Sequence, residues 1–197
     1  MSGLIVIEGT SNSGKTTTCD ILRTEPNFIV IPEFMKHPRA PRPSKNIEEE
    51  LANQRIFLEI EKERMKLAKI QLEKDKLVFL ERSYLSIVAV SYAFEKLGKY
   101  ESLKNAQALF DEIMASEWFI NPSAYYILSA SHEEISKRNK SRTNKLNEGW
   151  IMSEFDGYQK EYYDMTMNSN SSMVQIDTTK KEETYAAKYI KERVGKL

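Results

Sequence analysis

Eight consecutive residues near the start of this 197-residue chain, Gly9, Thr10, Ser11, Asn12, Ser13, Gly14, Lys15 and Thr16, follow the apolar run Leu4-Ile5-Val6-Ile7 and fit the spacing GxxxxGK[ST]. Two glycines let the backbone curl so that its amides face phosphate oxygens. The lysine reaches the β and γ phosphates, and the threonine hydroxyl can hold Mg²⁺. Thr17 and the residues after it read as a helix whose N-terminal dipole faces the same anion. The segment implies a bound nucleoside triphosphate, most simply ATP, with Mg²⁺ as its companion ion.

A second group follows the apolar run Leu77-Val78-Phe79-Leu80, where Glu81-Arg82-Ser83 is delivered to the same edge as the phosphate loop. A carboxylate there can orient Mg²⁺ or its waters, and a guanidinium can grip a phosphate or a carboxylate with two parallel hydrogen bonds. The plain alternative is a surface ion pair closing a strand. Glu33, after Pro32, has the chemistry to orient and deprotonate an attacking hydroxyl. It can equally be an exposed loop acid. The stretch Lys137 to Lys145 holds five basic residues and no acid, with Arg138 and Arg142 placed to close over an anion. A solvated basic helix end is the alternative.

Acceptor recognition is less sharply written. Leu51, Leu58, Met65 and Leu72 repeat every seven residues over a helix expected from about Glu48 to Glu73, and should face the core. Gln54, Phe57, Glu61 and Arg64 share another face, which suits a nucleobase and sugar or, equally, solvent. Phe34 and Tyr84, beside the acidic motifs, can wall a pocket or belong to the core. Four cations in the proline-rich segment 36–45 (Lys36, Arg39, Arg42 and Lys45) would favour an acceptor that already carries a phosphate, or simply form a soluble loop. His37 and His132 are isolated, so no zinc site is expected.

The elements that must position these groups alternate. Strands are expected at Leu4 to Glu8, Phe28 to Ile31, Leu77 to Glu81, Ala124 to Ser129 and Met173 to Asp177, with helices between them. Strand-helix alternation implies a parallel sheet covered on both faces, with ligands at the carboxyl ends of the strands, where the motif residues fall. The expected fold is a three-layer α/β P-loop NTPase domain with a five-stranded parallel sheet and a helical lid. Asp177-Thr178-Thr179 would end the last strand and begin a helix.

Whole-chain properties bound the function. Lys plus Arg and Asp plus Glu are each 29, so no overall field favours a nucleic-acid polymer or an anionic membrane. The lone Cys19, the lack of an apolar leader before Leu4 and the absence of any long apolar run lead us to expect one domain over 1–197 in a cytoplasmic setting. Ser2 does not support myristoylation. The helix expected from Glu101 to Trp118 presents Leu103, Ala106, Phe110, Ile113 and Met114 on one side, to pack on the core or on a second subunit of a homodimer.

The combination GTSNSGKT, then Pro32-Glu33, then Glu81-Arg82-Ser83-Tyr84-Leu85-Ser86 resembles the deoxynucleoside kinases and their relative, thymidylate kinase. The resemblance implies that Glu33 receives the proton of a sugar 5′-hydroxyl, that Arg138 and Arg142 belong to a mobile lid at about 138–149, that Gln54 reads the base and that Asp177 borders the adenine. It further implies a small nucleoside or, as the runner-up, a nucleoside monophosphate as acceptor. A GTPase would need an NKxD segment, and Asn139-Lys140-Ser141-Arg142 and Asn144-Lys145-Leu146-Asn147 both lack the aspartate. A non-catalytic nucleotide-binding module needs neither Glu33 nor the basic lid.

Overall fold

The computed structural model describes residues 2–194. Strands β1 (Gly3–Gly9), β2 (Phe28–Ile31), β3 (Leu77–Glu81), β4 (Ala124–Ser129) and β5 (Met173–Asp177) form one parallel sheet in the order β2-β3-β1-β4-β5. All five lie where the apolar runs place them. Because β1 is central, its register carries the site: Ile7 pairs with Glu81, and Gly9 with Leu128.

Side chains of β1 alternate between two cores, as the strand period of two requires. Ile5 and Ile7 pack with Cys19 and Leu22 of helix α1 (Lys15–Leu22) and with Ala187 and Ile190 of helix α7 (Tyr185–Val194). Leu4 and Val6 pack on the opposite face against Met65 and Ala68 of α2 (Ile47–Leu72), Leu85 and Ala89 of α3 (Tyr84–Lys96) and Tyr163 of α6 (Ser153–Asn168). The architecture is the three-layer α/β fold. Helix α4 (Leu103–Ala115) packs outside α3, burying Ala106 and Ile113 within the chain, whereas Met114 faces solvent. Intramolecular packing therefore accounts for most of its apolar face.

Local chemistry sets the element ends. Asn46 caps α2 by accepting from the Glu49 amide at 2.8 Å, and Glu48, Glu49 and Glu50 meet the helix dipole. Ser131 likewise caps α5 (His132–Ser141). One expectation fails: no helix begins at Asp177. Its carboxylate accepts from the Thr179 amide at 2.8 Å in a turn, Lys180 adopts a left-handed φ of 54°, and α7 waits until Tyr185. After α5, segment 142–147 leads to a 3-10 turn at Glu148–Trp150. Trp150 packs on Phe94 and Phe155. The lid segment expected over 138–149 thus starts inside α5. No helix among the described residues is long and apolar enough to cross a membrane.

Candidate active site

The loop from Gly9 to Thr16 needs its glycines. Gly9 has φ of +130° and would drive a Cβ to 1.9 Å from the Leu128 carbonyl oxygen; Gly14, at φ +99°, opens α1. Asn12 is also left-handed, at φ 57°. The loop wraps Lys15, which is 6% exposed and donates to the Thr10 carbonyl and to Ser13 Oγ at 3.3 Å. Burial, reinforced by the nearby Arg82 charge, lowers the Lys15 pKa to about 7. A lysine desolvated in this way gains most from a phosphate, which restores its charged form.

Next to the loop, the Thr16 hydroxyl donates to Glu81 Oε1 at 2.7 Å, and Lys36 Nζ donates to Glu81 Oε2 at 2.9 Å. Burial opposes ionisation of Glu81, but the Thr16 and Lys36 hydrogen bonds hold its carboxyl below the usual range. The β1–β3 register brings Thr16 and Glu81 together. A hydroxyl and a carboxylate are hard oxygen donors that fit Mg²⁺. Among the described residues no group of three or more His, Cys, Asp or Glu could hold a metal, so such an ion would complete its shell with phosphate oxygens and water.

Arg82 joins the two motifs. It sits at φ 63°, a left-handed geometry that costs a non-glycine residue roughly 1–2 kcal/mol. Its amide donates to the Ile7 carbonyl at 2.9 Å, and the next amide, Ser83, donates to Glu8 Oε1 at 2.6 Å. So held, its guanidinium donates through Nε to Glu33 Oε2 at 3.1 Å and through Nη1 to the Gly9 carbonyl at 3.1 Å. Glu33 and the phosphate loop are thereby tied through one side chain. Glu33 precedes a 3-10 turn, Phe34–Lys36, and keeps partial exposure.

The basic segment after β4 divides into two roles. Arg138 lies behind the phosphate loop, donating to the Asn12 carbonyl at 3.1 Å, to Thr178 Oγ1 at 3.1 Å and to the Thr178 carbonyl at 2.7 Å. Thr178 in turn donates to the Ser13 and Ser129 carbonyls. Arg138 therefore braces the loop rather than covering it. Exposed Arg142 donates to Asn12 Oδ1 at 2.5 Å, so it alone of the pair stands at the loop's open side. Asp177 is exposed beside this brace, its carboxyl held low by the Thr179 hydrogen bond.

The face of α2 proposed for the acceptor is buried and internally bonded, a correction to its reading as an open recognition surface. Gln54 donates to Ser91 Oγ at 2.9 Å and to the Ser102 carbonyl at 3.3 Å, and accepts from Asn105 at 2.6 Å. Arg64 pairs with Glu61 at 2.6 Å, caps the carbonyls of Glu81 and Arg82 at 2.8 Å each, and lies over the Phe34 ring. Phe34 is buried, edge-on to Phe57; Tyr84 is buried and donates to the Gln54 carbonyl at 3.0 Å. Phe57 alone of these aromatics keeps partial exposure. In the proline-rich segment, His37 and Arg39 pair with Glu63 of α2, at 3.1 and 2.6 Å.

Glu8 is a further residue of the site, to which the sequence pattern assigns no role. A carboxylate ending an apolar strand is costly unless partnered. It is fully buried, accepts from the Ser83 amide and hydroxyl and from Tyr163 OH at 3.2 Å, and burial raises its pKa. Tyr163 lies far away in sequence, so only the fold identifies it as a partner.

No curated protein matches the sequence at a significant level. Among solved structures, the chain is similar to the thymidylate kinase of Candida albicans, with TM-score 0.77, 19% identity, 99% of this chain and 92% of that one covered. It is similar to the deoxyadenosine kinase of M. mycoides with products dCMP and a flexible dCDP bound, with TM-score 0.74, 15% identity and 98% and 100% coverage. The thymidylate kinase of Ehrlichia chaffeensis follows at TM-score 0.61, 16% identity and 98% of both chains. At these identities the likeness is one of fold. The AAA domain family matches residues 4–164, a span that runs from β1 and its phosphate loop through Arg82, Arg138 and Tyr163. The chain belongs to the AAA domain family and has the five-stranded P-loop fold of the nucleoside and nucleotide kinases.

Proposed function

We propose that this protein is an ATP-dependent kinase that phosphorylates the 5′-hydroxyl of a deoxynucleoside. The observation that carries the reading is Arg82, which binds Glu33 and the Gly9 carbonyl at once and so places a carboxylate base beside the phosphate loop. A module that only binds nucleotide has no use for that link.

In this reading Gly9 to Thr17 and Lys15 hold the ATP phosphates, with Asp177 at the nucleoside end. Thr16 and Glu81 would hold Mg²⁺, which when bound would offset the phosphate charge. Glu33 Oε2 is engaged by Arg82. Its Oε1, which has no hydrogen-bond partner among the described residues, accepts the proton of the attacking hydroxyl. Arg82 fixes the orientation of that carboxylate. Arg142 swings from Asn12 over the transferring phosphoryl group as segment 142–149 closes, adding charge where it develops. Arg138 fixes the loop from behind. Phe57 supplies the acceptor's apolar wall, while Gln54, Arg64, Phe34 and Tyr84 support it from beneath.

Of the segment's four cations, Lys36 pairs with Glu81 and Arg39 with Glu63, which supports a nucleoside over a monophosphate for as long as Lys36 stays on that carboxylate. The thymidylate-type monophosphate kinase stays the second reading, supported by the likeness to the Candida albicans enzyme over nearly the whole chain. The unpaired, buried Cys19 suits a reducing cytoplasm, and exposed Met114 on α4 is a candidate contact for a homodimer. The test is coupled ADP release with Mg-ATP across nucleosides, deoxynucleosides and their monophosphates. Release with deoxynucleosides is expected, release only with monophosphates promotes the second reading, and silence throughout favours a binding module.

A further inference from the structure

We propose that Lys36 is a built-in counter-ion for Glu81 that the divalent cation must displace, so that this lysine sets how tightly the site takes up the metal–nucleotide complex. The inference rests on the kinase reading above, since it presumes that Thr16 and Glu81 receive the metal. Glu81 is fully buried, and its two oxygens are divided between two partners: Thr16 at Oε1 and Lys36 at Oε2. The hydroxyl is itself a metal donor and can turn its lone pairs to the ion. The ammonium cannot, because a lysine has only donors and carries like charge.

Removal of Lys36 from that oxygen is sterically easy. Its side chain is 41% exposed, whereas Glu81 has no exposure, so the lysine can swing into water while the carboxylate stays fixed. The carrier is a single 3-10 turn closed by the Lys36 amide on the Glu33 carbonyl at 3.1 Å. Beyond it His37 and Arg39 pair with Glu63 and before it Phe34 is buried, so only the Lys36 side chain has to move. In the absence of metal, Lys36 keeps a buried carboxylate from standing half unpaired, which would otherwise cost stability. Once the metal is bound, it contributes nothing there. One residue thus stabilises the metal-free site at the expense of metal affinity, and the same turn carries Glu33.

Mn²⁺ binding, followed by the water-proton relaxation enhancement that distinguishes the protein-bound ion from the ion held by free nucleotide, in the presence of a saturating non-hydrolysable ATP analogue, tests this without any turnover. Lys36→Gln should bind Mn²⁺ about three- to tenfold more tightly than the wild type, the range expected for loss of a half-exposed competing ion pair. Lys36→Arg, which restores the cation, should return the affinity toward the wild-type value. Thermal unfolding supplies a second readout: Lys36→Gln should melt below the wild type without metal, and the gap should close with saturating Mn²⁺ and analogue. Equal or weaker Mn²⁺ binding by Lys36→Gln overturns the role of Lys36 and leaves the kinase reading standing. A wild-type protein that binds the analogue but no Mn²⁺ overturns the role while sparing nucleotide binding, and one that binds neither overturns both.

Discussion

The phosphate edge and the polar face of α2 are both rich in charged and amide side chains, yet they are built in opposite ways. At the edge, Lys15, Thr16, Glu33, Glu81 and Arg82 converge with hydrogen-bonding capacity left over, as in the second oxygen of Glu33 and the guanidinium of Arg142 at the loop's open side. On α2, Gln54, Glu61 and Arg64 are almost wholly buried and bonded to the chain itself, Gln54 to α3 and α4 neighbours and Arg64 to the carbonyls that follow β3. Polar residue types alone do not mark a ligand site. What marks one is polar groups that the fold brings together with free hydrogen-bonding capacity reachable from solvent, unlike Arg64 Nε, which is sealed in without a partner.

The largest effect expected from this contrast is at Glu33. Glu33→Gln keeps a hydrogen-bond partner for Arg82 but removes the base, and should lower kcat by about 10²- to 10⁴-fold with ATP affinity nearly unchanged; steady-state kinetics beside calorimetric ATP binding measures both. Retained turnover would take Glu33 out of the chemistry. On the other side of the comparison, Arg64→Met leaves Glu61 buried without its cation and two carbonyls without their donor. It should cost about 3–5 kcal/mol in chemical unfolding.

Gln54→Ala discriminates most directly between the two kinds of surface. If its amide serves packing, stability falls by about 1–3 kcal/mol while the acceptor KM stays put. A tenfold rise in KM at unchanged stability would break the comparison and return Gln54 to the acceptor site. Arg142→Ala should lower turnover about tenfold, near 1.4 kcal/mol, with little change in melting temperature. Arg138→Ala, by contrast, should lower melting temperature and ATP affinity together, because it unties the loop from Thr178. Identical behaviour of the two variants would show that the brace and the clamp are not separate.

The smallest effect is a pH dependence. Burial holds Glu8 above the ordinary carboxylate value of 4.5, against the pull of Arg82 and Ser83. A raised folded-state pKa means that the folded chain binds more protons, so the contribution is complete below the unfolded value and is lost as pH rises through the folded one. Relative to Glu8→Gln, the wild type should therefore lose stability as pH rises from about 4.5 upward. Urea unfolding at a series of pH values measures this, and a constant difference between the two proteins would place Glu8 in an unperturbed environment.

Much of the fold was legible, and for a local reason. Apolar runs such as Leu4 to Ile7 and Leu77 to Leu80 are too short for a buried helix and rich in branched side chains, so they read as strands buried on both faces, and each stops at a residue whose chemistry differs. The left-handed Gly9 and Gly14 were readable because no other residue tolerates those turns. The end of the last strand was not: Asp177 has the look of a helix cap, but Thr178 is drawn into the phosphate-loop brace and the chain turns before α7 begins. Arg138 and Arg142, four residues apart on one basic stretch, were indistinguishable in the sequence. Which of them faces Thr178 depends on how α5 packs against β5 and the loop.

The sequence by itself determined that a phosphate loop follows a buried strand, that an acid and a base stand at the end of another, and that a parallel sheet must bring such ends to one edge. These follow from spacing, from apolar periodicity and from the backbone freedom of glycine, all of which act within a few residues. Only the tertiary structure decided that β1 lies beside β3, putting Thr16 on Glu81, that Arg82 bridges Glu33 and Gly9, that Lys36 occupies the second oxygen of Glu81, and that the polar face of α2 turns inward. The reason is that a side chain's role depends on what satisfies its hydrogen bonds and charge, and for these residues the partners come from segments far apart in the chain.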